Sequence, residues 1–194
     1  MRTIELIKIL SQLAKEHHKK VVTLKELSIF TNQTASAIAM ALLRLKKQGC
    51  VERIGLLWIN MMDRPTLEEI ALAFPFPSYI SFESALFRKN LLSQSPRGSL
   101  LVATTARPRH VTTPLGNIEF IHLNPKLFFG FDKNRVAHPE KALLDMVYVR
   151  KKWGLEGLPR VTFYWEELQK SRLKRFAKQF PNYIWKAIRM TYNP

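Results

Sequence analysis

Between residues 25 and 53 the chain gathers side chains suited to a polyanion and, in smaller number, to the edges of bases. Gln33, Thr34 and Ser36 carry amide and hydroxyl groups that hydrogen-bond base edges, while Ala37 and Met40 offer apolar contact to a thymine methyl. Lys25, Arg44, Lys46, Lys47 and Arg53 surround them, cations that hold phosphate oxygens without reading sequence. No Arg or Asn stands at the reading end, so the bidentate contact worth ~1–3 kcal/mol of discrimination is missing there. The expected chemistry is a firm grip on a phosphate backbone with sparse base reading.

These residues act together only if the chain folds them onto one surface. Residues 1–61 have the pattern of three helices and a two-stranded wing. Ile4, Ile7, Leu10 and Ala14, joined by Leu6 and Leu13, recur at helical spacing. A second helix opens at Thr23, with Glu26 three residues on, the signature of a capping box. Asn32 suits the left-handed geometry of a tight turn. Thr34 caps a third helix that runs to about Gln48 and stops at Gly49. Around Ile38, the residues Ala35, Leu42 and Leu45 form its expected buried stripe; Gln33, Ser36, Met40, Leu43, Arg44 and Lys47 fall on the other side. CVERI and LLWI pair as a hairpin across Gly55. This is the pattern of a winged helix-turn-helix, whose third helix enters the major groove by its N-terminal half. The apolar Met40 and Leu43 on the open side support an alternative, a protein-interaction or RNA-binding module with these helices as scaffold.

Residues 62–78 hold Pro65, Pro75 and Pro77 and a short helix from Thr66 to Ala73, the expected connector. Residues 79–194 are expected to form a small mixed α/β domain with a helical, basic tail, so the fold class is α+β. In it the sequence predicts a helix over roughly 81–91 with Ser81 as cap, then a strand over SLLVATT. After the basic turn ARPRH comes strand-like VTTPLGNIEFIHL, with Leu-Gly-Asn as turn, and a short strand in KLFFGF. PEKALLDMVYVRKK is a helix with Pro139 in its first turn, and the chain is helical, basic and aromatic from Tyr164 on.

Charge points the same way. The 194 residues carry 31 Lys and Arg against 15 Asp and Glu, a net +16. Residues 1–61 hold ten basic and four acidic side chains, residues 62–149 ten and eight, and residues 150–194 eleven and three. Two basic ends flank a nearly neutral middle, a distribution that favours phosphate backbones. Arg107 and Arg109 in the middle, and Lys170, Arg172, Lys174 and Arg175 in the tail, could extend a nucleic-acid footprint or meet an acidic protein face. The single Cys50 excludes an internal disulfide and a cysteine-based zinc site. No run approaches the ~20 apolar residues of a membrane span, and no secretory pattern opens the chain, so a cytoplasmic location without membrane contact is expected.

No catalytic constellation is visible. There is no Gly-rich phosphate loop, no GxSxG elbow and no His-Glu-x-x-His. His17, His18, His110, His122 and His138 are scattered. Glu119 with Glu140 is the one imaginable metal-dependent nuclease pair, but an acid in the first turn of a helix has a simpler reason, the helix dipole. Asp145 is expected to bond a local backbone group or a neighbouring basic side chain. The expectation is no enzyme, no metal and no cofactor.

The order YISFESALFRKNLL, PRGSLLVATTARPR, GNIEFIHL, KLFFGF and AHPEKALLDMVY behind the helical module resembles the AbiE-type antitoxin family of type IV toxin–antitoxin systems. The resemblance extends to about residue 150. Its most specific pieces are Ser84-Ala85-Leu86, Thr104-Thr105 followed by Arg107 and Arg109, and the run from Pro139 to Asp145. It implies an N-terminal winged helix that binds inverted repeats in its own promoter and represses its operon as a transcriptional regulator. It also implies a C-terminal domain needed for antitoxin activity against a nucleotidyltransferase-like toxin in abortive infection. Duplex DNA and that toxin are the implied partners, with room for a homo-oligomer on DNA. His138 departs from the pattern by standing before Pro139, where an Asp, Ser or Thr cap is more usual.

Overall fold

The computed structural model describes residues 1–94, 98–156, 158 and 162–191. Pro96 and Arg97, at the head of one family-like segment, lie outside the described residues. The chain divides into two compact units, Met1–Pro75 and Phe76–Pro194. The division falls inside the stretch expected to be a connector. Helices and two separate sheets make the protein mixed α+β.

The first unit runs α1 (Thr3–Glu16), β1 (Val21–Thr23), α2 (Leu24–Thr31), α3 (Ala35–Lys47), β2 (Val51–Ile54), β3 (Leu57–Asn60) and α4 (Leu67–Leu72). Its three-stranded sheet has the order β1-β3-β2, antiparallel throughout, with Val22 opposite Trp58 and Glu52 opposite Ile59. Thr23 and Glu26 close the expected capping box: the Glu26 backbone N–H donates to Thr23 Oγ1, and the Thr23 N–H donates to the Glu26 carboxylate. Asn32 takes φ +51°, and Gly49, at φ +71°, ends α3 where a side chain would be strained.

The core joins Leu6, Leu10 and Leu13 of α1 with Leu27 of α2, Ile38, Ala41, Leu42 and Leu45 of α3, and Val22, Val51 and Trp58 of the sheet. Two expected stripes are turned from this. In α1 the buried face is Leu6, Leu10, Leu13 and Ala14, while Ile4 is exposed, roughly 120° round the helix from Leu10. In α3 Ala35 is exposed and Ala41 is buried in its place. Ala35 is the first helical residue and lies beyond the end of the core.

The second unit contains β4 (Ser78–Ile80), α5 (Phe82–Arg88), β5 (Ser99–Thr104), β6 (Arg109–Thr113), β7 (Gly116–His122), α6 (Pro139–Lys152), α7 (Lys170–Ala177) and α8 (Asn182–Thr191). Its four-stranded sheet has the order β4-β5-β7-β6; β5 and β7 are parallel and the outer pairs antiparallel. The β6–β7 turn lies at Pro114-Leu115, ahead of the expected Leu-Gly-Asn, because Gly116 already pairs with Thr113. KLFFGF is no strand. It starts in a 3-10 turn, Pro125–Leu127, whose start Asn124 caps by accepting from the Lys126 N–H, and only Phe131 makes an isolated bridge, to Ala137. Its aromatics pack instead, Phe128 and Phe131 against Tyr79, and Phe129 against Phe176 and Phe180. Helix α6 is the hub, buried continuously from Glu140 to Val147 and packed on α5, α7 and α8.

Candidate nucleic-acid interface and a buried polar centre

In the first unit Ser36, Met40, Leu43, Arg44 and Lys47 are all exposed and recur every third or fourth residue along α3. Helical geometry therefore sets them in one stripe. Thr34 and Gln33, also exposed, stand just before it; Ala37 is half-buried. Thr34 is the N-cap of α3: its hydroxyl accepts from the Ala37 N–H at 3.4 Å and lies 3.2 Å from the Ser36 hydroxyl. One of the two O–H protons is used in that mutual bond, which leaves the exposed pair a single O–H donor for another acceptor. The sparse reading face is thus sparser still, because the cap occupies part of it.

The five expected phosphate holders separate into two groups. Lys25, Arg44 and Lys47 are exposed, and no ion pair holds their side chains among the described residues. Lys46 is bonded to Glu52 of β2 at 2.5 Å, and this ammonium holds the Glu52 carboxyl below its ordinary range. Arg53 lies over the Trp58 ring at 5.4 Å and donates from Nε to the Gly55 carbonyl at 3.0 Å. Exposed pairs of this kind are worth only ~0–1 kcal/mol, so they order the two cations without removing them from competition for phosphate. The same unit also exposes apolar side chains, Ile29 of α2 and Leu56 at the hairpin tip, at 73% and 68%.

The basic residues of the second unit are also unequal. Arg107 and Arg109 are exposed near the edge strand β6, and Arg109 covers the Phe76 ring at 4.5 Å. Lys170, Lys174 and Arg175 are exposed on α7, whereas Arg172 is drawn inward, 3.7 Å from Glu140 Oε2 and 3.3 Å from His138 Nδ1. Since a guanidinium only donates, His138 Nδ1 accepts, which places the proton of the neutral ring on Nε2. His138 makes no side-chain cap to α6; Glu140 does the tying instead, accepting the Gln169 N–H at 2.8 Å. Glu140 is thereby committed to α7. Glu119 has a different carboxylate neighbour, Glu83 of α5. Burial lifts the Glu83 carboxyl above its ordinary range; the Arg150 charge opposes the rise and the Glu119 charge adds to it. Among the described residues no group of three or more His, Cys, Asp and Glu is placed to hold a metal ion.

Asp145 bonds a neighbouring basic side chain, as expected, but within a buried polar centre whose extent spacing did not reveal. Lys141 and Asp145, one turn apart on α6, are both wholly buried and directly bonded. Tyr79 of β4 and Ser81 both donate to Asp145 Oδ2 at 2.8 Å, and Lys141 Nζ donates to the Tyr79 oxygen at 2.8 Å. The ammonium is also ringed by Phe129, Phe180 and Tyr79 at 4.8, 5.1 and 5.3 Å. Burial pushes Asp145 up and Lys141 down, each opposed by the partner's charge, and drives the Tyr79 phenol far above its usual range. Three donors converge on one carboxylate, the geometry that satisfies an ionised Asp145. Ser81, expected to cap α5, gives its hydroxyl to this centre and makes no cap bond. A helix apolar on nearly every side has to be buried all round, and that was the available signal in ALLDMV.

No protein-family model and no curated protein matches the chain. The fold is similar to the crystal structure of the RV2827C protein from Mycobacterium tuberculosis, with a TM-score of 0.55 at 15% identity. The match covers 92% of this chain and 73% of that one. No described helix is long and apolar enough to cross a membrane.

Proposed function

We propose that the first unit is a winged helix-turn-helix that binds duplex DNA, chiefly through the phosphate backbone. In this reading the chain is a transcriptional repressor of its own promoter and the antitoxin of a type IV pair, opposing a nucleotidyltransferase-like toxin. The observation that carries the DNA reading is the exposed stripe of α3. It runs from hydroxyls at the capped N-terminus to the uncompensated Arg44 and Lys47, on a helix held from behind by four buried residues. The chain order helix, strand, helix, helix, hairpin, with β1 closing on β3, supports a winged architecture. The antitoxin assignment rests on the ordered family-like segments of the second unit.

In the mechanism that follows, α3 enters the major groove by its N-terminal turn. Arg44, Lys47 and Lys25 neutralise phosphates, Lys46 and Arg53 join from the β2 side, and the Gln33 amide and the remaining O–H of the Thr34–Ser36 pair make the polar base contacts. Sequence preference then comes mainly from paired half-sites and DNA shape. A mobility-shift assay comparing the duplex upstream of the chain's own reading frame with a scrambled duplex tests this. Preference for the upstream duplex is expected; equal affinity at physiological salt overturns specific repression.

One observation favours a second reading. Ile29, Met40, Leu43 and Leu56 are all exposed in the unit that carries the cations, a pattern that also suits a protein-binding surface. In that case replacing Met40 and Leu43 by Gln abolishes partner capture and leaves duplex binding unchanged.

A further inference from the structure

The tail helices carry a second basic feature, distinct from the first unit and independent of the reading given for it. From Gln169 to Thr191 the chain has seven Lys and Arg and no Asp or Glu. Lys174, Ala177 and Lys178 recur three and four residues apart, as do Asn182, Trp185 and Arg189, so each set forms one helical face. The two faces line a single groove of ≈ 420 Å³, within the ~300–1,000 Å³ typical of sites for small molecules. Among the described residues the side chains of Lys174, Lys178 and Arg189 have no ion-pair or hydrogen-bond partner. Trp185 is half-buried in the wall and among the described residues stacks on no other ring, whereas Trp58 takes Arg53 and Trp165 stacks on Phe163.

We infer that this groove binds an unpaired nucleotide, its base stacked on Trp185 and its phosphate held by Lys174, Lys178 and Arg189. Each part of the groove has a use in that ligand. The three cations attract the phosphate, the indole supplies a stacking platform, and the Asn182 amide offers both a donor and an acceptor to a base edge. Duplex DNA does not fit the description, because its bases are stacked on one another and present only their edges to a protein. An acidic peptide matches the cations but leaves the indole unused. The nucleotide comes either from a single-stranded stretch of nucleic acid or from the free pool, and the chemistry is shared.

The test is fluorescence anisotropy of the full chain with a labelled single-stranded oligo(dT), beside a labelled duplex, at fixed salt. Trp185→Ala is expected to weaken oligo(dT) binding by about 5- to 150-fold, the range for losing one stacked base, and Trp185→Phe to retain most of it. Lys174→Ala with Lys178→Ala, both on exposed positions, is expected to flatten the log–log salt dependence by about 0.7 for each lost contact. Arg44→Ala with Lys47→Ala lowers duplex binding and spares oligo(dT), so the two sites fail separately. Competition by thymidine monophosphate at concentrations comparable with oligo(dT) assigns the groove to free nucleotides; weak competition assigns it to single strands. Oligo(dT) binding unchanged in the lysine variant overturns the inference. So does equal displacement by poly-glutamate from wild type and Trp185→Phe, with no loss in a folded Trp185→Ala.

Discussion

Helices α3 and α6 both carry lysines one turn from the apolar residues that anchor them, and the two units use those lysines in opposite ways. On α3 the core takes Ile38, Ala41, Leu42 and Leu45, and Arg44 and Lys47 remain outside in water. On α6 the core takes the cation itself: Lys141 is sealed among three aromatic rings and bonded to Asp145. A solvated lysine on a convex helix is available to an incoming phosphate. A buried one is already consumed by its partner. Counting charge along the chain therefore overstates what a ligand meets, and Arg172, turned to Glu140, is a further instance.

The comparison breaks most visibly at Asp145. Asp145→Ala leaves the Lys141 ammonium buried with no counter-charge, and is expected to destabilise the second unit by ~3–5 kcal/mol in urea denaturation followed by circular dichroism. Replacing Lys141 by Met and Asp145 by Leu together is expected to recover most of that loss. A loss below ~1 kcal/mol in Asp145→Ala would mean that water reaches the centre. The mirror experiment is Arg44→Glu with Lys47→Glu. Stability should stay within about 0.5 kcal/mol of wild type, as for exposed positions generally, while duplex affinity falls about tenfold or more near ~0.1 M salt. Lys46→Ala, which removes a cation already paired with Glu52, should have the smaller effect on affinity.

A middle-sized effect is expected at the cap. Thr34→Ala removes the acceptor for the Ala37 N–H and should cost about 1 kcal/mol in thermal unfolding, whereas Thr34→Ser should cost little. If Thr34→Ala also erases the preference between duplex sequences, the cap and the reading face are one device. The smallest effect concerns pH. The Lys46 ammonium holds Glu52 below its ordinary value of 4.5. For Glu26, burial acts upward but the Lys19 and Thr23 bonds outweigh it, and that carboxyl also lies below 4.5. A depressed carboxylate contributes stability that is present above the unfolded value and is lost as pH falls through the folded one. The first unit should therefore weaken below about pH 4.5, by ~1 kcal/mol or less for each pair. Glu52→Gln should remove its share of that dependence.

What could be read from the sequence was local. The Thr23–Glu26 box, the Asn32 turn, the Thr34 cap and the Gly49 stop each depend on a few adjacent residues, and all are present. The three-residue strands β1 and β4 were not anticipated, since alternation over so short a run carries almost no signal. Their pairing with β3 and β5 is a long-range property of the fold. KLFFGF failed as a strand for a related reason: aromatic content marks burial as readily as it marks pairing. At the candidate sites, exposure of the α3 stripe followed from helical period alone. The tethering of Lys46 and the inward turn of Arg172 depended on Glu52 and Glu140, partners that spacing does not identify. A basic neighbour for Asp145 was legible, since Lys141 lies one turn away, but Tyr79 and Ser81 join that pair from more than 60 positions off.

The most direct test of the central claim, that α3 holds duplex DNA by backbone charge, is the salt dependence of duplex affinity in the wild type and in Arg44→Ala with Lys47→Ala. The account predicts that the slope of log affinity against log salt falls by about 0.9 for each lost phosphate contact, so by about 1.8 in the double variant. It predicts an unchanged ratio between upstream and scrambled duplex. A slope equal to that of the wild type would contradict it and place the contact surface elsewhere on the chain.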